Sequence, residues 1–396
     1  MDADAESAAP TDPGAGRASP GAAAAHAAPG AAPGAVVEPV APRTQPDRLV
    51  VPDVLRGIAI LAMLIAHAAP LVRSLPEPVL LVQANINDVA SPLFALVMGM
   101  STAIVVRKAG PSSLERSLVV GQNAIRGLIL VGLGVWLSAW GSWIAIVLSF
   151  LGLVLIIGTP LLLLSTRWIL VIAAAVVLLS QPVNALMASL FTTFDGAVPE
   201  LLPIDWLFTN SHYRVTNLLP FFLVGAALLR HGFRRDTVLL GMVGVALMAY
   251  PLRPLYEAGV APALGADLPT VMAWTRSGTW LDTLHDVGLV FLVYAAVVAL
   301  ADVRSPRAAR MIGAAFVPFR ALGSVSLSVY VLQVAVVALM AALSPLGQDN
   351  RWLEWLVLVV GVSAAGILWW RFVGKGPIEW AIGIASGRYR LPRRAR

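Results

Sequence analysis

Ten apolar stretches, most of them about twenty residues long, follow one another after residue 50, and they restrict the possible folds more than any other feature of the chain. A helix of that length matches the roughly 30 Å hydrocarbon core of a bilayer. Inside hydrocarbon every backbone N–H and C=O needs a partner within the protein, so only helices or a closed barrel can cross. The apolar residues do not alternate in strand-length segments, which argues against a barrel. Composition agrees, with 58% of residues hydrophobic and 13% charged, against about 25% charged in soluble domains. These values exclude an ordinary soluble enzyme, a disordered protein and a coiled coil. The expected fold is all-α: a polytopic integral membrane protein with about 10 transmembrane helices.

The predicted helices lie at roughly 53–72, 89–106, 118–138, 142–164, 167–186, 216–229, 237–256, 280–301, 322–343 and 352–373. The sixth is short and contains Pro220. Residues 1–46 are rich in Ala, Pro and Gly, with no apolar face to pack, and read as a disordered tail. They lack the basic start and apolar centre of a signal peptide. Residues 47–380 form the expected transmembrane domain, and 381–396 a basic cytoplasmic tail.

Charge supplies an independent test of this count. If the chain alternates from a cytoplasmic N-terminus, the inner segments hold 20 of the 28 Lys and Arg residues. The outer segments hold only Arg73, Arg214, Arg253, Arg276 and Arg351. Cytoplasmic loops collect Lys and Arg, so the split favours both termini inside. It also accounts for the net charge of +6 without nucleic acid as a partner. Two outer loops, about 187–215 and 257–279, are long. They read either as interfacial loops anchored by Trp206 and Trp274 or as a lid over an outward-facing pocket.

Polar groups within spans are costly and mark pairing or function. In the first helix, Arg56 and His67 are eleven residues apart. That spacing comes within about 20° of whole turns, so both share a face, roughly 16 Å apart along the axis. Asp53 is placed to pair with Arg56. The bland alternative makes Arg56 a residue reaching the interface beside Asp53 and His67 a packing histidine. Asp88 precedes Pro92, which suits the first turn of the second helix. That places Asp88 just outside the helix, on the same side as His67. Arg126 is expected at the cytoplasmic start of the third helix. His285 and Asp286 open the eighth helix, about 100° apart around its axis, so they do not pair with each other. HExxH, GxxxxGK[ST] and GxSxG patterns do not occur, which argues against zinc, nucleotide hydrolysis and a serine triad. No metal is expected. The chain has no cysteine, which excludes disulfides, thiolate metal sites and a cysteine nucleophile.

Several segments, in order, resemble the transmembrane acyltransferase superfamily. RLVVPDVLRGIAILAMLIAH resembles its first helix, with an R-x-x-x-x-D-x-x-R-G-x-A pattern. NDVASPLFALVMGMSTAIVVRK is similar to its second helix. HYRVTNLLPFFLVGAALLRHG, FRALGSVSLSVYVLQ and GPIEWAIGIASGR resemble segments of its YeiB-like members. Heparan-alpha-glucosaminide N-acetyltransferase is the best understood relative of that group. The resemblance implies acetyl-CoA or another acyl-CoA as donor from the cytoplasmic side, and a cell-envelope sugar or related acceptor from the other. In that relative the catalytic histidine lies between the first two helices, but here VRSLPEPVLLVQANIN contains none. Arg56 and His67 instead match the Arg-x10-His spacing of the related acyltransferase-3 family.

The resemblance therefore implies His67 as general base, Asp88 as orienting carboxylate, Arg56 and Arg126 as CoA-phosphate ligands, and Asp53 as support. Expected partners are the lipid bilayer, acyl-CoA and the acceptor, with a homodimer left open. The expected location is the plasma (inner) membrane. The alternatives are a transporter or flippase of an envelope component and a scaffold without chemistry.

Overall fold

The computed structural model describes residues 49–109, 112–191, 202–344 and 349–387. The expected tail over 1–46, and most of the basic tail over 381–396, lie outside the described residues. The compact unit begins at Leu49.

Among the described residues the secondary structure is helical, without strands. In chain order the principal helices are α1 (Val50–Leu71), α2 (Glu77–Lys108), α3 (Ser113–Ser138), α4 (Leu148–Leu161), α5 (Thr166–Phe191), α6 (Val215–His231), α7 (Thr237–Ala263), α8 (Trp280–Ala301), α9 (Pro306–Ser324), α10 (Ser326–Leu343), α11 (Trp352–Phe372) and α12 (Pro377–Ala385). Eight of them, all but α4, α6, α9 and α12, are long and apolar enough to cross a membrane. With the shorter apolar helices α4 and α6, they fall on the ten predicted segments.

Three differences from the sequence-based expectation concern the site. α2 begins at Glu77, twelve residues before the predicted start. Gln83, Asn85 and Asn87 had masked its first turns, and the Asn85 side chain donates to the Leu81 carbonyl at 2.8 Å instead of ending the helix. Pro92 therefore lies inside the helix, and Asp88 sits three turns into it. α3 begins at Ser113, where the Ser112 hydroxyl accepts from the Glu115 N–H and donates to its carboxylate. This N-cap places Arg126 in mid-helix, away from the expected helix start. Finally, α9 was not foreseen, because Arg307, Arg310, Pro318 and Arg320 interrupt its apolar pattern. α12 also runs through residue 380, where the domain boundary was drawn.

Lipid tails are as apolar as leucine, so helices in a bilayer associate through close packing. Glycines permit it at several interfaces, α2–α6 and α1–α9 among them. A Cβ on Gly99 would overlap the Phe222 carbonyl, and one on Gly225 would overlap the Leu96 carbonyl, so α2 and α6 meet backbone to backbone. Gly57 and Gly323 do the same for α1 and α9, against Phe319 and Asp53. Gly99→Leu should therefore separate α2 from α6. The expected result is loss of the monodisperse folded peak in detergent gel filtration, with membrane insertion retained.

The two ends of the bundle are named from α1, which begins at the near end and finishes at the far end. At the far end the Leu71 carbonyl accepts from the Arg351 N–H at 3.0 Å. Asp349 receives the Arg73 and Ser74 N–H groups at 2.6 and 3.1 Å, together with the Ser74 hydroxyl. The Arg73 amide, the Ser74 hydroxyl and the Asn350 amide hold this carboxyl down to about 2. At the near end, Glu379 of α12 accepts from the Leu327 and Ser328 N–H groups at 2.7 and 3.2 Å, capping the exposed donors of α10.

α4 and α6 have 14 and 17 residues, short of the roughly 20 needed to span. Both are largely buried among longer helices, so neither needs to reach both membrane surfaces. Their shortness leaves a recess at each end, about 360 Å³ at the far end and about 390 Å³ at the near end.

Candidate functional site

The far recess is walled by the last turn of α1, by α2 around Asp88, by the segment before α4, by the segment before α6 and by the first turns of α8. The side chains that matter chemically are His67, Asp88, His212, Arg214, Asp282 and Asp286. Three carboxylates against one guanidinium give the lining an excess of negative charge, and such a cavity concentrates cations. Both long far-end loops contribute, through Arg214 and Ser277, whose carbonyl accepts from Arg214 at 2.7 Å.

His67 is fixed at two points. Its carbonyl accepts from the Trp143 indole N–H at 3.1 Å. Its Nδ1 lies 3.1 Å from Nε2 of Gln333, a residue of α10 with 0% exposure. Nε2 of the imidazole is thus left as the ring nitrogen available to a ligand. In this orientation the amide donates to Nδ1, which puts the ring proton on Nε2. Gln333 Oε1 meanwhile is buried without a hydrogen-bond partner among the described residues. A primary amide has the same shape either way round. Turned over, it would accept from Nδ1–H and leave the Nε2 lone pair free.

The acidic wall is held by Arg253 of α7, which donates to Asp282 at 3.1 Å and to Asp88 at 3.2 Å, and pairs with Glu257 at 3.1 Å. Asp282 also accepts from the Gly278 N–H at 2.8 Å. His285 donates from Nδ1 to the Tyr250 carbonyl at 3.0 Å and turns Nε2 toward Asp88, 3.8 Å away. Asp286, one turn beyond Asp282, is different. Its Oδ1 is buried and has no hydrogen-bond partner among the described residues. A buried, unsatisfied carboxylate oxygen is costly, and one facing a cavity has the form of a ligand-binding group.

His67 and Asp88 thus line one cavity. Arg56, Arg126 and Asp53 do not line it. Asp53 and Arg56 pair at 3.6 Å, and Arg56 also donates to the Gly323 carbonyl at 3.2 Å and to the Ser101 hydroxyl, tying α1 to α9 and α2. Arg126 donates to Asn123 within its own helix at 3.4 Å. The sequence reading assigned no role to Arg253, Asp282, Asp286 or Gln333. Charged residues within predicted spans, with Asp282 and Asp286 four apart, were the available signal.

The family model for the heparan-alpha-glucosaminide N-acetyltransferase catalytic region matches residues 48–247. That stretch contains His67, Asp88 and Arg214 and ends before Arg253, Asp282 and Asp286. A comparison with curated proteins gives no match. The matched segment spans just over half of the 396 residues and carries α1 to α6 with most of the cavity's histidine side, and the chain belongs to the heparan-alpha-glucosaminide N-acetyltransferase catalytic family.

Proposed function

We propose that the protein transfers an acetyl group from acetyl-CoA to an amine-bearing sugar of the cell envelope, with His67 as the base. The observation that carries this is the far cavity itself, where His67 shares one space with Asp88, Asp282 and Asp286. The carboxylates favour an acceptor that arrives as an ammonium ion. His67 Nε2, with the Gln333 amide accepting from Nδ1–H, takes a proton from that ammonium. The freed amine attacks the thioester carbonyl, the C–S bond breaks and an amide forms. The departing thiolate recovers that proton from the imidazolium, and the second N–H proton, shed as the amide forms, passes to the freed imidazole and on to solvent. An imidazole is suited to both transfers near neutral pH. Asp88 orients the acceptor from the Arg253 network, and Asp53 and Arg56 keep α1 in place for His67. Arg126, in the middle of α3 and bonded to Asn123, lines neither recess and is assigned no step.

The near end carries Arg107, Lys108, Arg230, Arg234, Arg235, Arg304 and Arg307, and the far end far fewer cations. On the positive-inside rule the near end is the cytoplasmic one, which supports both termini on that side and a far cavity facing outward, with the plasma membrane as the proposed location. Because the chain lacks cysteine, single cysteines can be labelled without background. A maleimide that cannot cross membranes should label Thr270→Cys in intact cells, and Arg234→Cys only after permeabilisation. The opposite pattern would invert the orientation.

The function is tested with purified protein, acetyl-labelled acetyl-CoA, and either glucosamine or glucose as acceptor. Labelled amide should form from the amino sugar and no ester from glucose. Absence of acetyl-CoA binding, hydrolysis and transfer would overturn acetyl transfer.

A further inference from the structure

His285 is a buried titratable group that the reaction above leaves unused. It precedes Asp286 on α8, its side chain is 8% exposed, and it does not line the far cavity. The ring is fixed at three points. Nδ1 lies 3.0 Å from the Tyr250 carbonyl, which can only accept, so Nδ1 carries the ring proton. One face stacks on the Tyr250 ring, with centroids 4.8 Å apart. Nε2 faces Asp88 Oδ2 across 3.8 Å, too long for a hydrogen bond but within ion-pair reach. A neutral ring in this position sets a lone pair against a carboxylate. One added proton on Nε2 turns the same geometry into an ion pair with Asp88 and a cation over the Tyr250 face. The surrounding charges leave room for that cation. Asp88 comes from α2, Asp282 and Asp286 from α8, and Arg253 and Glu257 from α7, with Arg214 a second cation beyond Asp282.

Acetyl transfer to an ammonium releases more protons than the thiolate takes back. The acceptor nitrogen carries three N–H protons and the amide keeps one. As the C–N bond forms and the C–S bond breaks, one released proton ends on the thiol sulfur and the other must leave the cavity. His67 cannot begin a new cycle while it holds that second proton. We propose that Asp88 and His285 form the proton-release pair of the far cavity. Asp88, which lines the cavity, takes the second proton across it from the His67 imidazolium and passes it to Nε2 of His285. His285 holds the proton until the product has left and water collects it through Asp88. This assignment rests on the transfer to an ammonium acceptor proposed above. His285 acts only through Asp88, so it is a positioning residue for the proton and touches no substrate.

His285→Asn keeps an amide N–H for the Tyr250 carbonyl and removes the proton site. Turnover of amino sugar and acetyl-CoA by the full chain is measured against buffer concentration. In dilute buffer kcat of the variant should fall by at least about tenfold, with KM for the amino sugar and acetyl-CoA binding unchanged. Added imidazole should restore the rate, and wild type should be indifferent to it. A monodisperse variant that matches wild type in dilute buffer overturns the assignment. A loss that imidazole does not rescue also overturns it, and marks His285 as a support for α7. A second measurement needs neither turnover nor that variant. In nitrogen NMR of histidine-labelled protein, His285 Nε2 should gain a proton in wild type as the pH is lowered from about 8 to 5, and markedly less so in Asp88→Asn. Identical behaviour of the two proteins overturns the pair. A wild type whose Nε2 shows this dependence on Asp88, yet which forms no amide, upholds the pair as a proton site and overturns acetyl transfer instead.

Discussion

His67→Ala is expected to abolish acetyl transfer while leaving acetyl-CoA binding in place. Removal of a general base costs about 10²–10⁴-fold in the chemical step, and the His67 ring lies outside the near recess and bonds Gln333 of α10, apart from the main contacts that hold its helix. Those contacts belong to Arg56, with Asp53, Ser101 and Gly323, and to the glycine packing of α1 on α9. The variant should therefore elute as folded protein with an unchanged donor Kd. Gln333→Leu provides the companion measurement. Without the amide at 3.1 Å, nothing selects the ring tautomer, so turnover should fall with donor binding intact. Nitrogen NMR of labelled histidine should show both tautomers of His67 in place of one. Full activity in a folded His67→Ala protein would remove that imidazole from the mechanism and leave His212 and the carboxylates of Asp88, Asp282 and Asp286 as the bases in the cavity.

Asp286→Asn should raise stability and lower activity together. The carboxylate oxygen Oδ1 is buried without a partner, next to Asp282 and Asp88, so the folded protein carries both a desolvation cost and a like-charge cost. An amide removes the charge with almost no change of shape. Thermal unfolding in detergent should therefore move upward by a few degrees, from relief of the buried charge beside Asp282 and Asp88, although the amide itself stays unpartnered. If the carboxylate receives the acceptor's ammonium, KM for the amino sugar should rise by about tenfold or more, with acetyl-CoA hydrolysis in the absence of acceptor unchanged. A purely structural Asp286 would show the opposite pattern, with lower stability and parallel loss of every activity. The opposed signs of stability and function separate the two roles without any assumption about His67.

Much of the fold was legible in the sequence, because a bilayer imposes a length and a polarity on every crossing segment. The failures have a common cause. A polar residue inside a helix looks like a boundary when its partner is unknown, and so the start of α2 was drawn twelve residues late, past Gln83, Asn85 and Asn87. The arginines of α9 concealed a helix whose glycine face packs on α1. In the site, the Arg56–His67 spacing was correct as helical geometry, yet the two residues serve different surroundings. Arg56 is bonded among α1, α2 and α9, and His67 opens on the far cavity.

The sequence by itself determined a multi-span helical membrane protein, its helix order and a conspicuous His67 and Asp88, because hydrophobic length and the cost of a polar group in lipid act on each segment separately. Only the tertiary structure decided that Asp88 would share Arg253 with Asp282, that Asp286 would face the same cavity unpaired, and that Gln333, 266 residues away, would hold the His67 ring. Those outcomes depend on helix depth and rotation. Both are set by which glycines let backbones touch and by how short α4 and α6 are among their longer neighbours, and neither is a property of any single segment.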